Sequence, residues 1–395
     1  MSKLNELIQQ LCPDGVEYKT LGSFATISRG GNFQKKDFRD DGFPCIHYGQ
    51  IYTKYGLFVD KTVSFISPAC ASKQKTASKN DIIMAVTSEN IEDVCKCLVW
   101  LGDGEVAVSG HSAIIRHSQN PKYLAYYFHS RMFFDQKRKL AHGTKVIEVT
   151  PDKLASVKIP LPPIEVQREI VRILDNFTEL TAELTAELTA ELTARKKQYE
   201  YYRDSLFAVD NTEITWNTLD RISENCDRQR RPVTKGNRVA GKYPYYGASG
   251  IVDYVADYIF DGDYLLVSED GANLIARSTP IAFSISGKTW VNNHAHALKF
   301  DTYELRRYVE VYLNSIDLSR YISGGAQPKL SQENLNKIPI PVPSTERIKY
   351  VVSVLDRFDI LCNDLTTGLP AEIAARQKQY EYYRDKLLTF KELGA

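Results

Sequence analysis

The sequence lacks an apolar run long enough to span a membrane, and Glu6, Gln9 and Gln10 interrupt the stretch from Met1 to Leu11, which is therefore not a signal peptide. We expect a cytoplasmic protein. The chain also has little net charge, because 50 lysine and arginine residues face 49 aspartate and glutamate residues. A formal charge of +1 excludes a globally basic, non-specific binder of nucleic acid, but it leaves room for local basic patches.

Cysteine and histidine are too sparse to indicate a disulfide framework or a metal site. The seven cysteines are scattered, which is typical of a reducing compartment. Cys95 and Cys97 form the only close pair, and a CxC without a second cluster is a poor zinc signal. His294 and His296 point the same way on one predicted strand, but nothing supplies a third ligand. We predict no metal site and interpret these histidines as buried or facing DNA.

The sequence also contains no catalytic motif that survives inspection. Gly287-Lys288-Thr289 ends like a phosphate-binding loop, but Ala282 stands where that motif needs a glycine. Leu161 to Ile164 lacks the polar and aromatic residues of an amino-methyltransferase motif, and Pro151-Asp152-Lys153 has no second acid and lysine at nuclease spacing. We therefore predict a chain without catalytic residues.

What the sequence does contain is a long segment written twice. Residues 195–204 read RKKQYEYYRD and residues 376–385 read RQKQYEYYRD, 181 positions later. Apolar residues recur at every fourth position before each copy and keep the same offset. They are Leu180, Leu184, Leu188 and Leu192 in the first copy, and Leu361, Leu365, Leu369 and Ile373 in the second. We predict that these two stripes pack together.

The first copy predicts one long helix. No glycine or proline occurs from Glu165 to Ala208, which allows a helix of about 65 Å. Its middle is Thr-Glu-Leu followed by three copies of Thr-Ala-Glu-Leu, and such an apolar stripe needs a partner to cover it. The matched stripe is the obvious partner, in an antiparallel arrangement. Gly368 and Pro370 predict a kink or break in the second helix, although Pro370 can equally begin a separate helix.

The repeat divides the chain into four parts: residues 1–157, 158–208, 209–336 and 337–395. The first and third parts mix strand-like runs, such as Asp81 to Val86 and Val106 to Ile115, with turn residues, and they share faint landmarks. Proline-rich exits, followed by helices, begin the second and fourth parts, and Ser344 is a suitable N-cap. The predicted fold class is α+β: two mixed α/β domains in a pseudo-twofold arrangement, joined by two long antiparallel helices.

Glycine-rich, polar and basic loops in both mixed parts have the composition of a nucleic-acid reader. Glycine lets backbone N–H groups approach a phosphate, while Arg, Lys, Asn and Gln side chains can pair with base edges. Solvated basic faces and ordinary turns are the alternative interpretation of each loop. The predicted DNA contacts are Arg29, Gly30, Gly31, Asn32, Lys35, Lys36, Tyr48, His111, Thr144, Lys145, Arg228, Arg230, Arg231, Tyr245, Tyr246, Asn292, Asn293, His294, Gln327 and Lys329.

Taken together, these motifs resemble the specificity subunit of type I restriction–modification enzymes, in the subfamily with Thr-Ala-Glu-Leu tandem repeats. The resemblance is carried by Ile159 to Ile170 (IPLPPIEVQREI), the tandem repeats, the repeated QYEYYRD and Gly325 to Ser331 (GAQPKLS). It implies that residues 1–157 and 209–336 are target-recognition domains, each reading one half of a bipartite, asymmetric DNA site. Residues 158–208 and 337–395 are then conserved spacer helices.

The resemblance also implies partners. Two methyltransferase subunits dock on the conserved helices and methylate adenine with S-adenosylmethionine, and restriction subunits use ATP and magnesium to translocate and cleave DNA. The chain itself holds no cofactor in this interpretation. The alternatives are a stand-alone sequence-specific DNA-binding regulator, a fused enzyme, which the absent motifs disfavour, and a structural coiled-coil adaptor, which leaves the mixed domains unexplained.

Overall fold

A computed structural model of the chain describes residues 2–207, 214–325, 327–364 and 366–394. The chain divides into two compact units. Unit 1 combines residues 1–187 with residues 373–395, and unit 2 contains residues 188–372. The four-part division predicted from the repeat stays a prediction, because each unit takes in parts of the helical segments. No helix in the described part of the chain is both long and apolar enough to cross a membrane.

Unit 1 contains mixed strands and short helices. Its strands are β1 (Tyr18–Thr20), β2 (Ala25–Arg29), β3 (Phe43–Ile46), β4 (Phe58–Val59), β5 (Phe65–Ile66), β6 (Thr76–Ala77), β7 (Ile82–Ala85), β8 (Thr87–Ser88), β9 (Cys97–Trp100), β10 (Val106–Val108), β11 (Ser112–His117), β12 (Ile147–Glu148) and β13 (Lys158–Pro160). Its helices are α1 (Lys3–Leu11), α2 (Leu21–Phe24), α3 (Tyr48–Thr53), α4 (Pro68–Ala71), α5 (Pro121–Phe128), α6 (Arg131–Leu140) and α7 (Pro151–Ala155), with a 3-10 turn at Lys35–Asp37.

The sheets of unit 1 have the strand orders β5-β3-β10-β6 and β2-β11-β7-β9-β4, with the small pairs β1-β13 and β12-β8. The predicted strand from Asp81 to Val86 is confirmed as β7. The predicted strand from Val106 to Ile115 is wrong as a single element, because the chain turns at Ser109 to His111 and forms β10 and β11. His111 lies in this turn, between the end of β10 and the beginning of β11.

The long helix α8 (Ile164–Phe207) follows and runs without a break for 44 residues, as the absence of glycine and proline predicts. Its beginning packs into the core of unit 1 through Val166, Ile170 and Leu174, and the buried Tyr123 of α5 belongs to the same hydrophobic cluster. The hydroxyl of Tyr123 donates to the carbonyl of Pro160 at 2.8 Å, so the proline-rich exit is tied to the same core. The predicted end at Ala208 lies outside the described residues.

Unit 2 has the same kind of architecture. Its strands are β14 (Thr215–Thr218), β15 (Glu224–Asn225), β16 (Ala240–Gly247), β17 (Gly250–Val255), β18 (Phe260–Asp261), β19 (Tyr264–Ser268), β20 (Ala282–Ile285), β21 (Lys288–Val291), β22 (Ala295–Lys299), β23 (Ile322–Ser323), β24 (Lys329–Leu330) and β25 (Pro339–Val342). Its helices include α9 (Leu219–Ile222), α10 (Asn273–Ala276), α11 (Tyr303–Ser315) and α12 (Gln332–Asn336), with 3-10 turns at Asp227–Gln229, Lys235–Asn237 and Ser319–Tyr321.

The sheets of unit 2 have the orders β15-β22-β19-β20 and β17-β16-β21-β18, with the pairs β14-β25 and β23-β24. Both units contain parallel pairs inside largely antiparallel sheets: β3 with β10 and β4 with β9 in unit 1, and β16 with β21 in unit 2. In each unit, the strand before the mixed segment also pairs antiparallel with the strand that leaves it. The two units therefore share a topology, and the predicted α+β class is confirmed.

The second long helix is two helices, α13 (Thr345–Asn363) and α14 (Leu369–Leu387). Ser344 caps α13 as predicted, accepting from the backbone N–H of Arg347. The predicted break is confirmed at Gly368, where a side chain would collide with the carbonyl oxygens of Ile360 (2.5 Å) and Asp364 (2.7 Å). The second helical segment is therefore interrupted, whereas the first is continuous.

The duplicated segments make equivalent contacts inside each unit. In unit 1, Phe177 of α8 stacks on Tyr383 of α14, with ring centroids 5.9 Å apart. In unit 2, Phe358 of α13 packs on Tyr202 of α8 at 5.6 Å. Phe358 lies 181 positions after Phe177, and Tyr383 lies 181 positions after Tyr202. Each copy of the segment thus supplies the phenylalanine of one pair and the tyrosine of the other.

A second pair of contacts keeps the same offset. Asp175 of α8 accepts from the hydroxyl of Tyr126 on α5 at 2.7 Å. In unit 2, Asp356 of α13 accepts from Nε of Arg307 on α11 at 2.8 Å. Both members of the second pair lie 181 positions after those of the first. The helical segment is therefore fastened in the same way to a helix of each mixed part.

Candidate nucleic-acid interface

Five of the predicted DNA-contacting residues line one cleft in unit 1. Arg29 ends β2, Gly31 and Asn32 follow it, Tyr48 begins α3, and His111 lies in the turn between β10 and β11. The cleft has a volume of about 720 Å³ and is also lined by Phe33, Gln34, His47, Thr87, Ser109, Gly110, Val146 and Glu148. Residues far apart in sequence therefore form one open, polar and aromatic surface.

A row of aromatic rings forms one wall of this cleft. The ring centroids of Tyr48 and His111 are 4.9 Å apart, and those of His47 and Tyr48 are 4.6 Å apart. Phe38 and Phe33 continue the row behind His47, at 5.9 and 6.4 Å. Burial, together with the nearby charges of Lys35 and His111, lowers the pKa of His47. His47 therefore favours its neutral form, whose ring can stack.

One hydrogen bond from a backbone N–H to a side chain and one contact between side chains help to fix the positions of Tyr48 and His111. The backbone N–H of Tyr48 donates to Oγ of Ser109 at 2.8 Å, which ties α3 to the β10–β11 turn. Nδ1 of His111 is 3.2 Å from Oγ1 of Thr87 on β8. A rigid platform of this kind suits recognition, because little conformational freedom remains to be lost on binding.

The glycines of the loop serve a different purpose from the one predicted. The N–H of Gly30 donates to the carbonyl of Ser112, and that of Gly31 donates to the carbonyl of Val108, so neither is free for a phosphate. A side chain at Gly30 would also collide with the carbonyl oxygens of Val108 and Ser109. Gly30 is required because the loop backbone lies directly on the β10–β11 turn, and a side chain at Gly31 would instead meet Gln74. This close packing holds Arg29 and Asn32 at the rim of the cleft.

The other predicted residues of unit 1 lie near this cleft without lining it. Lys35 and Lys36 form an exposed 3-10 turn just beyond Gln34. Thr144 and Lys145 are exposed in the loop that precedes Val146. Four polar or basic side chains thus surround a cleft whose rim they can extend toward a longer ligand.

Sequence reasoning missed Glu148. Its carboxylate accepts a hydrogen bond from Nη2 of Arg29 across the cleft. The two residues are 119 positions apart, and Glu148 belongs to a strand of only two residues. No local sequence pattern therefore predicts this ion pair.

Unit 2 buries part of its predicted set in a charged network. Arg230 donates to Glu269 at 2.6 Å and to the carbonyl of Ala295 at 2.8 Å, and it lies 3.2 Å from Asp227. His296 contacts Asp227 at 2.6 Å through Nδ1 and the carbonyl of Leu330 at 2.8 Å through Nε2. Burial alone would raise the pKa of Asp227, but the hydrogen bond and charge of His296 bring it below its usual value.

This network also contains the acidic and histidine side chains that come nearest to a metal-binding set in the described residues. Ligand atoms of Asp227, Glu269 and His296 lie within 4.8 Å of one another. The guanidinium of Arg230 already lies against both carboxylates, and Nζ of Lys329 is 3.1 Å from Glu269. These cations balance the carboxylates, so the donor set does not fit a metal ion. Its role is to fix β24 and the loop before it to the sheet.

Other predicted residues of unit 2 are either buried or exposed at separate points. Tyr245 is 1% exposed and donates to the carbonyl of Val233, and Asn292 is 6% exposed, so we leave both out of the proposed interface. Tyr246 is half-buried. Nδ1 of His294 lies 2.8 Å from Asp270. The remaining members, all exposed, are Arg228, Arg231, Asn293 and Gln327.

A cleft of about 280 Å³ in unit 2 is lined by other residues, among them Val233, Arg238 and Trp290. None of the predicted contacts of unit 2 belongs to this cleft within the described residues. The predicted DNA-contacting residues of unit 2 therefore outline a surface less sharply than those of unit 1.

The predicted docking residues lie along the helical segments. Leu184, Leu188 and Leu192 are half-buried, as are Leu361, Leu369 and Ile373, whereas Leu180 is 60% exposed. Leu365 lies outside the described residues. Sequence reasoning did not single out two other highly exposed apolar side chains here, Tyr201 (69%) and Tyr382 (60%), which occupy equivalent positions of the repeat.

Comparison with known proteins identifies similar sequences over nearly the whole chain. A family model described as the type I restriction modification DNA specificity domain matches twice, at residues 13–194 and 214–375. The specificity subunit of the type I restriction enzyme EcoprrI from Escherichia coli is 34% identical over 383 residues, which covers 93% of each protein.

Other relatives match over a shorter length. A putative type I restriction enzyme specificity subunit from Haemophilus influenzae is 35% identical over 190 residues, covering 47% of this chain and 49% of that protein. The specificity subunit of EcoR124I/EcoR124II from Escherichia coli is 35% identical over 260 residues, covering 59% and 63%. The match therefore spans about half to two thirds of these two relatives.

Solved structures with a similar fold are more distant in sequence. A chain from a study of complex assembly and conformational transition of the type I R-M system has a TM-score of 0.68 at 18% identity, covering 96% of this chain and 98% of that one. The HsdS subunit from Thermoanaerobacter tengcongensis has a TM-score of 0.56 at 18% identity, covering 96% and 97%. At this identity, the likeness shows the fold alone.

Proposed function

This chain belongs to the type I restriction–modification DNA specificity family, and on that premise we propose that it is the DNA-recognition subunit of a type I restriction–modification complex. Each unit reads one half of a bipartite, asymmetric site. The helical segments set the number of base pairs between the halves and dock two methyltransferase subunits. Restriction subunits join this assembly.

The observation that carries the proposal is the repeated scaffold with unlike surfaces. The duplicated segments make equivalent contacts in both units, through Phe177 with Tyr383 and Phe358 with Tyr202. The polar surfaces built on this scaffold differ, because unit 1 has an open aromatic cleft and unit 2 has a buried charged network. A protein that repeats one scaffold but carries a different surface on each copy suits a DNA site with two different halves.

The cleft of unit 1 supplies the chemistry for reading bases. Arginine and asparagine side chains pair with guanine and adenine edges in the major groove, and Arg29 and Asn32 lie at its rim. Tyr48 and His111 add flat surfaces that contact sugars, methyl groups or bases. Lys35, just outside the cleft, is placed for a phosphate, and such contacts fix the register without specifying sequence.

Two equivalent exposed tyrosines support two equivalent docking sites. Tyr201 on α8 and Tyr382 on α14 lie 181 positions apart, and both are more than half exposed. Aromatic residues are enriched in protein–protein interfaces, where they anchor a partner. We expect Tyr201→Ala with Tyr382→Ala to reduce co-purification with the methyltransferase subunit, whereas Val63→Ala, at another exposed apolar residue, leaves it unchanged. Equal recovery of the partner by all variants would contradict these docking sites.

The chain itself is non-catalytic in this proposal. S-adenosylmethionine belongs to the methyltransferase subunits, and ATP and magnesium belong to the restriction subunits. The absence of a recognisable catalytic motif in the sequence supports this division of labour.

A variant confined to one unit tests the proposal. We expect Tyr48→Ala with His111→Ala, in the complete complex, to weaken or relax the half-site read by unit 1 and to leave the other half-site and the spacer unchanged. Methylation-site mapping provides the measurement, and Val63→Ala is the control in unit 1. A change in both half-sites, or in neither, would contradict the assignment of one unit to one half.

A further inference from the structure

We propose that Glu148 is a positioning residue that orients the guanidinium of Arg29 to read one guanine in the half-site of unit 1. The inference rests on the proposed function, and it adds a specificity-determining pair to it. The carboxylate does not contact DNA in this scheme; it acts through the arginine.

Both residues stand on backbone that cannot easily move. Arg29 ends β2 in register with Ala113 of β11, and the next N–H, of Gly30, donates to the carbonyl of Ser112 at 2.9 Å. Glu148 on β12 pairs with Thr87 on one side. On its other side, it exchanges two backbone hydrogen bonds with His142, at 2.8 and 3.0 Å. The pair is therefore held from two separate sheets that meet at the cleft.

Arg29 uses one N–H donor of its guanidinium for Glu148 and keeps the others free. Nη2 donates to Glu148, and within the described residues the guanidinium has no other hydrogen-bond partner. Its side chain is 47% exposed, against 27% for Glu148. The remaining N–H groups can face a ligand in the cleft. Arg230 in unit 2 is the contrasting case, because it is 12% exposed and its donors are used inside the fold.

A carboxylate in a cleft that receives DNA needs a physical reason. Alone, it would repel the phosphates and weaken binding. Paired with Arg29, it removes side-chain freedom from the arginine before binding, which lowers the entropy lost on complex formation. Guanine presents two acceptors, O6 and N7, that a fixed guanidinium can bind in a bidentate manner. Pre-orientation therefore favours guanine over a base that accepts only one bond.

A second acidic residue at the same end of the unit supplies the matched control. Glu89 lines the adjoining pocket together with Tyr48, Thr87 and His111. It is exposed, and it has no arginine partner among the described residues. Glu89→Gln removes the same charge from the same surroundings and leaves Arg29 untouched.

The experiment uses the complete complex with its methyltransferase subunit. Methylation rates are measured on a set of DNA sites that carries each of the four bases at every position of the half-site read by unit 1. Arg29→Ala should lower the preference for guanine at one position by about 5- to 150-fold, the range of a bidentate contact. Glu148→Gln should reduce the preference at that same position by about fivefold or more. Glu89→Gln should leave it unchanged.

The results of these variants test whether Glu148 positions Arg29. If Glu148→Gln binds more tightly and keeps the guanine preference, Glu148 merely neutralises charge and the inference is wrong. It is also wrong if Arg29→Ala keeps the preference. In both cases, a split methylated site whose second half is unaltered leaves the proposed function standing and shows that the variants fold. If the wild-type complex does not methylate a split site, the proposed function itself is wrong.

Discussion

Deleting Thr185 to Leu188, one Thr-Ala-Glu-Leu unit, should shorten the DNA spacer by about one base pair. The unit lies inside α8, which is continuous from Ile164 to Phe207, so the helix should close over the deletion. Four helical residues advance about 6 Å along the axis and turn about 40° beyond one full revolution. One base pair advances about 3.4 Å and turns roughly 34°. The rotations nearly agree, and rotation decides which face of the duplex a reading surface meets.

The advances along the helix axis and along the DNA axis agree less well. The second helical segment, α13 and α14, has to accommodate the difference. The structure offers a place for this at the break between α13 and α14. There, Asp364 caps the end of α13, and its side chain accepts from Thr366 and Thr367 instead of continuing the helix. A break can adjust by a few ångströms at lower cost than a continuous helix.

Methylation mapping of the complex measures the spacer directly. The expected result is a spacer shorter by one base pair between two unchanged half-sites. Replacing Thr185 by Ala keeps the length of the repeat and should keep the spacer, which separates length from composition. An unaltered spacer in a deletion variant that still methylates DNA would refute the idea that α8 sets the distance.

Three further predictions concern stability. Arg307→Met should lower the free energy of unfolding by about 2–4 kcal/mol in urea titrations, because it leaves three carboxylates at 2.6–2.8 Å without their cation; a loss below about 0.5 kcal/mol would contradict this role. Gly30→Ala should cost about 1–3 kcal/mol through collision with the carbonyl of Ser109, and a neutral effect would mean that the loop has room. Asp227 has a lowered pKa in the fold. Its contribution to the free energy of unfolding is therefore fully present above pH 3.8, its ordinary pKa, and is lost as the pH falls through the lower pKa of the folded state. Asp227→Asn should therefore be less stable at neutral pH, with a deficit that narrows below pH 3.8; a constant deficit would contradict the assignment.

The scaffold was predictable from the sequence because it depends on regular spacing. A run without glycine or proline predicts a long helix, and the offset of 181 residues explains why Phe177 and Phe358 make equivalent contacts. Gly368 marks a break because only glycine fits so close to the preceding carbonyls. These features follow from local stereochemistry or from repetition, and both are visible along the chain.

The reading surface was only partly predictable, because it depends on contacts between distant residues. Composition alone indicated the loop at Arg29, but it assigned the wrong role to the N–H groups of Gly30 and Gly31, which bind neighbouring strands. Arg230 belongs to the same residue type as Arg29 and is used inside the fold. Tertiary packing decides which arginine faces the solvent, and no local pattern encodes it.

Methylation mapping of the wild-type complex tests whether this chain directs methylation to a split DNA site. The chain is co-expressed with its methyltransferase subunit, the complex is purified, and methylated adenines are located across genomic DNA. We expect a stable complex and a split, asymmetric site with two specific halves and a fixed non-specific spacer. A chain that binds no methyltransferase and recognises its own site alone, or a complex that methylates one continuous sequence, would contradict it.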